Sequence, residues 1–186
     1  MYGSDVEFCD WMRHCKELPS FSPDFGFVAT DTDILLHRYL TSVDGVGTRQ
    51  IQCLMHVEVK TREGKPSDSQ IDTLSKLHLF RGERMVNNSH IRYFGVFILC
   101  MTNTTPDNSA AMWWCVIPDG QILKDAARLD VRLIDKPELI ELLRFDRHPM
   151  NFSKQPFRRH HKTTEIIENK RSPLGFDYEQ KLIKRS

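Results

Sequence analysis

The chain has 186 residues, 40% apolar and 27% charged, with 26 Lys/Arg against 25 Asp/Glu and a formal net charge of +1. That length builds one domain with a substantial core, and no stretch reaches the roughly 18–20 apolar residues that a membrane span requires. The opening MYGSDVEFCDWMRHC has no basic segment leading into an apolar one, so the expectation is a cytoplasmic protein with no signal peptide and no membrane partner.

The near-neutral total conceals an asymmetry. Residues 147–186 hold 10 Lys/Arg against 4 Asp/Glu, a net +6, which leaves 16 against 21, a net −5, for residues 1–146. A basic tail on a mildly acidic body suits a polyanion partner or a solvated arm. The five cysteines (Cys9, Cys15, Cys53, Cys100, Cys115) contain no CxxC pair. Cys53, Cys100 and Cys115 fall in apolar runs, where cysteine acts as a small hydrophobe, so neither structural zinc nor a disulfide framework is expected.

Residues 5–17 read as a helix, because Phe8, Trp11, Met12 and Cys15 recur at three- and four-residue spacing. Pro19 and Pro23 end it and open a loop. Residues 27–40 read as one strand, on which Asp31 and Asp33 share a face with Leu35, His37 and Tyr39. Asp44-Gly45 and Gly47 suit a hairpin connection. The second strand, 51–61, alternates regularly: Ile51, Cys53, Met55, Val57 and Val59 on one side, Gln52, Leu54, His56, Glu58 and Lys60 on the other. Such alternation argues a strand with its apolar side in the core and its polar side toward a cleft. An antiparallel hairpin would bring Asp31 and Asp33 beside Glu58 and Lys60, although nothing in the sequence specifies its register.

Ser67-Asp68-Ser69-Gln70 fits a capping box opening a helix over about 68–80. Gln70 also shares a helical face with Leu74 and Leu77, which turns it toward the sheet as well as toward the cap. The continuous apolar run 93–101 reads as a central strand covered on both sides, and 111–117 as another. Trp113 and Trp114 point to opposite faces, with core packing favoured over base stacking for the outward ring. Residues 137–145 read as a helix with Pro137 in its first turn and Asp135 as its cap. Beyond Phe145 the chain turns basic and poor in apolar residues.

Two carboxylates and a lysine on one polar strand face are the equipment of a divalent-metal site that hydrolyses a phosphodiester. The order of elements around Asp33, Glu58-Val59-Lys60 and Gln70 resembles the PD-(D/E)XK nuclease superfamily over roughly residues 5–120. The family's proline before the acid is absent here, with Thr30 and Thr32 flanking the aspartates. The resemblance implies an α/β, restriction-endonuclease-like fold. It has an αβββαβ core and a mixed central sheet flanked by helices over residues 1–145, followed by a basic C-terminal extension, 146–186. It further implies Mg²⁺ or Mn²⁺ on Asp33, Glu58 and the Val59 carbonyl, with Lys60 orienting the attacking water and Gln70 in support. Asp31 is an alternative ligand or an outer acid. Glu7 on the first helix is either a further metal-directed acid or a solvent-facing residue favoured by the helix dipole. His37 and His56 share the acids' faces and are left outside the catalytic set.

The activity expected from the resemblance is metal-dependent hydrolysis of DNA, endo- or exonucleolytic, leaving a 5′-phosphate. The cluster Arg158-Arg159-His160-His161-Lys162 suits phosphate contacts, through Arg158, Arg159 and Lys162, that carry no sequence reading. A homodimer or a partner protein would help such a short chain define its substrate. Two rivals stand beside this reading: a nucleic-acid-binding module of the same fold that hydrolyses nothing, and an interaction protein whose basic tail docks an acidic partner.

Overall fold

The computed structural model describes residues 4–30, 33–44, 47–62, 64–86, 89–118 and 122–146. The basic cluster Arg158, Arg159 and Lys162 and the alternative ligand Asp31 lie outside them. The expected helix at the start is α1 (Ser4–His14), which buries Phe8, Trp11 and Met12 along one stripe.

The run 27–40, expected as one strand, is two. β1 (Phe25–Thr30) and β2 (Asp33–Asp44) pair antiparallel with Phe27 opposite Leu36 and Thr30 opposite Asp33. Asp33 begins β2 at φ 55°, a left-handed backbone that aspartate tolerates better than β-branched residues. The reversal escaped the sequence reading because no Gly, Pro or Asn marks it. β2 then pairs antiparallel with β3 (Gly47–Thr61), with Leu36 opposite Met55 and Ile34 opposite Val57.

After β3 come α2 (Asp68–His78), β4 (Gly82–Val86), β5 (Ser89–Met101), β6 (Met112–Val116), a 3-10 turn at Ala126–Arg128, β7 (Asp130–Ile134) and α3 (Lys136–Leu143). β4 and β7 were not anticipated; both are short, and β4 is exposed along its whole length. The seven strands form one mixed sheet in the order β1-β2-β3-β5-β6-β7, with β4 on the outer side of the first half of β5. Among the described strands, β3 and β5 are the one parallel pair, joined by the α2 crossover.

Apolar residues bury on both faces. On one, α1 and α3 pack Phe8, Met12, Leu139 and Leu142 against Cys53, Met55, Val57 and Phe97. On the other, α2 packs Ile71 and Leu74 against Val96, Ile98, Cys100 and Trp113. Trp113 and Trp114 are 6% and 0% exposed, one in each layer, so both are core. Asp107 ties α1 to α3, accepting from Trp11 Nε1 at 3.0 Å and pairing with Lys136 Nζ at 2.6 Å. Among the described residues no helix is long and apolar enough to cross a membrane.

α2 is pinned at its far end by an irregularity in β5. Between Leu54↔Tyr93 and His56↔Val96 the ladder shifts, so Phe94 and Gly95 together oppose Met55. Gly95 takes φ +98°, and a Cβ there would stand 2.5 Å from His78 Nδ1. The His78 ring fills that space, and the Val96 N–H donates to its Nδ1 at 3.0 Å.

Candidate active site

The site lies where β3 outruns β2, under the first turn of α2. Cys53, Met55, Val57 and Val59 point into the α1/α3 layer and are buried. Alternation therefore sends His56, Glu58 and Lys60 to the α2 face. Glu58 is only 2% exposed. Burying a carboxylate without partners costs several kcal/mol (~3–5 when one partner is removed), and the neighbours answer that cost. Lys60 Nζ lies 2.5 Å from Glu58 Oε1, and Gln70 Nε2 donates to the same oxygen at 3.0 Å.

Gln70 serves both roles that its position suggested. Its Oε1 accepts from the Ser67 N–H at 3.1 Å while its own N–H donates to Ser67 Oγ at 3.3 Å, which completes the capping box. The amide has two ends, one acceptor and one donor. The acceptor closes the cap, and the donor crosses from helix to sheet and holds Glu58. Burial of Ile71 and Leu74, the next inward positions, fixes the helix at this rotation.

Asp33 closes the arrangement from β2. The β2–β3 register ends at Ile34↔Val57, and Asp33 stands one step further, facing the Glu58 position. With the β2 ladder finished, Val59 would lack a backbone acceptor on that side. Asp33 Oδ2 replaces it, accepting from the Val59 N–H at 2.8 Å. In a strand the N–H and C=O of one residue face the same edge. The Val59 carbonyl therefore opens toward the Asp33 side too, beside the first residue of β2.

Asp33, Val59, Glu58, Lys60 and Gln70 are thus brought together. Glu7 is not: it is exposed on α1, over the opposite face, beside a shallow hollow lined by Val6, Asp10, Trp11 and Thr105. Its first-turn position on an amphipathic helix accounts for that placement. His37 and His56 lie further along the α2 face of β2 and β3, each half-buried. His56 Nδ1 is 2.8 Å from the Tyr93 hydroxyl, and burial holds its pKa below the ordinary histidine value. Burial likewise pushes the Tyr93 phenol up. Tyr93 was unremarkable in the sequence because it heads an apolar run; only the parallel β3–β5 register sets it beside His56.

Among the described residues no group of three or more His, Cys, Asp or Glu is placed to hold a metal ion. What the site offers a cation is two carboxylates, on Asp33 and Glu58, and the Val59 backbone carbonyl. All are hard oxygen donors of the kind Mg²⁺ and Mn²⁺ select. No family model, no curated protein and no solved structure matches this chain.

Proposed function

We propose that this protein hydrolyses DNA phosphodiester bonds at the Asp33–Glu58–Lys60 site with a divalent cation, in the manner of a PD-(D/E)XK nuclease with a restriction-endonuclease-like core. The observation that carries the reading is the nearly buried Glu58 carboxylate, held from one side by Lys60 and from the other by Gln70, with Asp33 anchored on the intervening Val59. A solvated, purely structural strand face would leave such an acid exposed. The run of helix, three strands, helix and further strands gives the same reading a second support.

Asp33, Glu58 and the Val59 carbonyl would hold Mg²⁺ or Mn²⁺. The bound cation would polarise the scissile phosphate and acidify a water. Lys60, partly exposed beside Glu58, would orient the attacking water or offset charge building on the phosphate. Gln70 fixes the Glu58 carboxylate, and its attachment to the helix cap limits the rotamers open to it.

The test is cleavage of plasmid, linear and branched DNA with Mg²⁺, with Mn²⁺ and with EDTA, comparing the wild type with Glu58→Gln and Asp33→Asn. Metal-dependent cutting that both substitutions abolish supports the proposal, and the preferred substrate narrows it. A nucleic-acid-binding module of the same fold is the second reading, favoured by the burial of the Glu58 carboxylate, which leaves it little exposed to a solvent cation. DNA binding that ignores metal, without cutting of any substrate, would establish that reading instead.

A further inference from the structure

The α2 face of the sheet is covered only over part of its width. The apolar layer under α2 draws on β5, β6 and β7 and includes no residue of β1, β2 or β3. Among the described residues, the α2 face of β2, of β3 before Glu58, of the first half of β5 and of β4 therefore lies outside the apolar layer that α2 covers. The registers put His37, Tyr39, His56, Tyr93 and Arg84 on that face. Phe80 joins them, with the Arg84 guanidinium 5.9 Å above its ring. Tyr39 and Phe80 are 39% and 58% exposed, Arg84 is exposed, and the two histidines and Tyr93 are half-buried.

The charge on this face is one-sided. From His56 outward, none of its described strand positions on β2, β3, β4 or β5 is an aspartate or glutamate; Glu83 lies on the other face, paired with Arg92 at 2.6 Å. The acids Asp33 and Glu58 mark where the face meets the candidate active site. His56 is two residues from Glu58 on the same strand and the same side. The track from Glu58 to Gln52, opposite Tyr39, is about 20 Å at ~3.3 Å per strand residue. Rings with exposed faces, interleaved with a cation and free of carboxylates, are what an unpaired nucleic-acid strand uses, by base stacking and phosphate attraction.

We propose that this uncovered face binds single-stranded DNA leading into the Glu58 site, so that the substrate carries an unpaired segment next to the scissile bond. The proposal rests on the phosphodiester reading of that site. It selects nucleic acid over residues 147–186 as the occupant because the face lacks the carboxylates that a basic tail would seek.

The test uses the full chain in EDTA, so that binding is read without cleavage. The probes are a fluorescein-labelled oligothymidylate of about twelve nucleotides, within the usual site size for such surfaces, and a blunt duplex of the same length. Tyr39→Ala should weaken oligothymidylate binding by roughly tenfold, the loss of one stacked base, with Tyr39→Phe near wild type. Arg84→Ala should lower the slope of affinity against salt by about one ion. Met85→Ala, on the opposite face, is the control. Circular dichroism verifies that each variant is folded.

Mapping the cross-links of a 5-iodouracil-substituted oligonucleotide identifies the surface directly. Cross-links on β2, β3, β5 or Phe80 support the proposal, while cross-links confined to 147–186 overturn it. Equal affinity of wild type and Tyr39→Ala also overturns it, as does an absence of oligothymidylate binding. Cleavage with Mg²⁺ is scored separately. Cutting with unaltered binding in the variants refutes only this face, and binding to the face without cutting refutes only the nuclease.

Discussion

Replacing Gln70 by glutamate separates the two roles of that side chain. Glutamate is as good as glutamine at the third position of a capping box and better for the helix dipole, so the Ser67 cap would persist. The other end of the side chain would change sign. The Gln70 Nε2 that donates to Glu58 Oε1 at 3.0 Å becomes a carboxylate oxygen against a buried carboxylate.

At about 4 Å and an effective dielectric of about 20, two such charges repel by ~4 kcal/mol. Protonating one of them instead costs about 1.36 kcal/mol per pH unit between ~4.3 and 7, or ~3.7 kcal/mol, which sets a ceiling. The expected loss of stability at pH 7 is therefore about 2–4 kcal/mol, against ~1 for removal of a cap alone. The pair's folded pKa is raised above the unfolded carboxyl value, so the folded state binds the extra proton. The variant's deficit is then small near pH 4–5 and grows as pH rises, by up to ~1.4 kcal/mol per unit until the pair ionises fully. Urea midpoints at pH 5, 6 and 7 for wild type, Gln70→Glu and Gln70→Ala measure this. A Gln70→Glu protein as stable as wild type at pH 7 would refute the hydrogen bond to Glu58 and leave Gln70 as a cap.

Lys60→Met should cost about 3–5 kcal/mol by stranding the Glu58 charge, and the double variant Glu58→Gln/Lys60→Met should recover most of it; urea denaturation of the set checks both. Asp33→Asn keeps an acceptor for the Val59 N–H and a residue suited to φ 55°. It should therefore change stability by less than about 1 kcal/mol, whereas Asp33→Ala should lose ~1–3. Gly95→Ala drives a Cβ to 2.5 Å from His78 Nδ1 at a positive φ, for an expected loss of about 2–4 kcal/mol in thermal or urea unfolding. Burial lowers the folded pKa of His56 below the ordinary histidine value. The stability this neutral imidazole contributes should be complete above ~6.5 and disappear as pH falls through the folded pKa. Comparing the pH dependence of unfolding in wild type and His56→Gln reads that difference.

Local geometry made part of the site legible. The two-residue period of a strand sets Glu58 and Lys60 on one side whatever surrounds them, and the Ser67–Gln70 box depends on four consecutive residues. Asp135 capping α3 through the Glu138 N–H at 2.9 Å is of the same kind. The hairpin between β1 and β2 was hidden because its aspartates were read for their carboxylates and the threonines beside them suit a strand, although Asp is itself a turn residue. β4 and β7 were hidden because each is five residues long and mixes polar with apolar residues, without the continuous apolar run that marks the equally short β6.

Which residues share a strand face or a helix turn can be read from their order alone, because those relations follow from backbone geometry over a few bonds. It took the assembled sheet to show that Asp33 holds the Val59 N–H, that the Gln70 amide spans from cap to carboxylate, that Glu7 stands over the other face, and that, among the described residues, the α2 layer stops short of β1 and β2. Those relations join residues far apart in the chain, 12 for Gln70 and Glu58 and 39 to 40 along the β3–β5 ladder, where register and burial are settled by competition among whole elements for the same apolar surface, and no local pattern records the outcome.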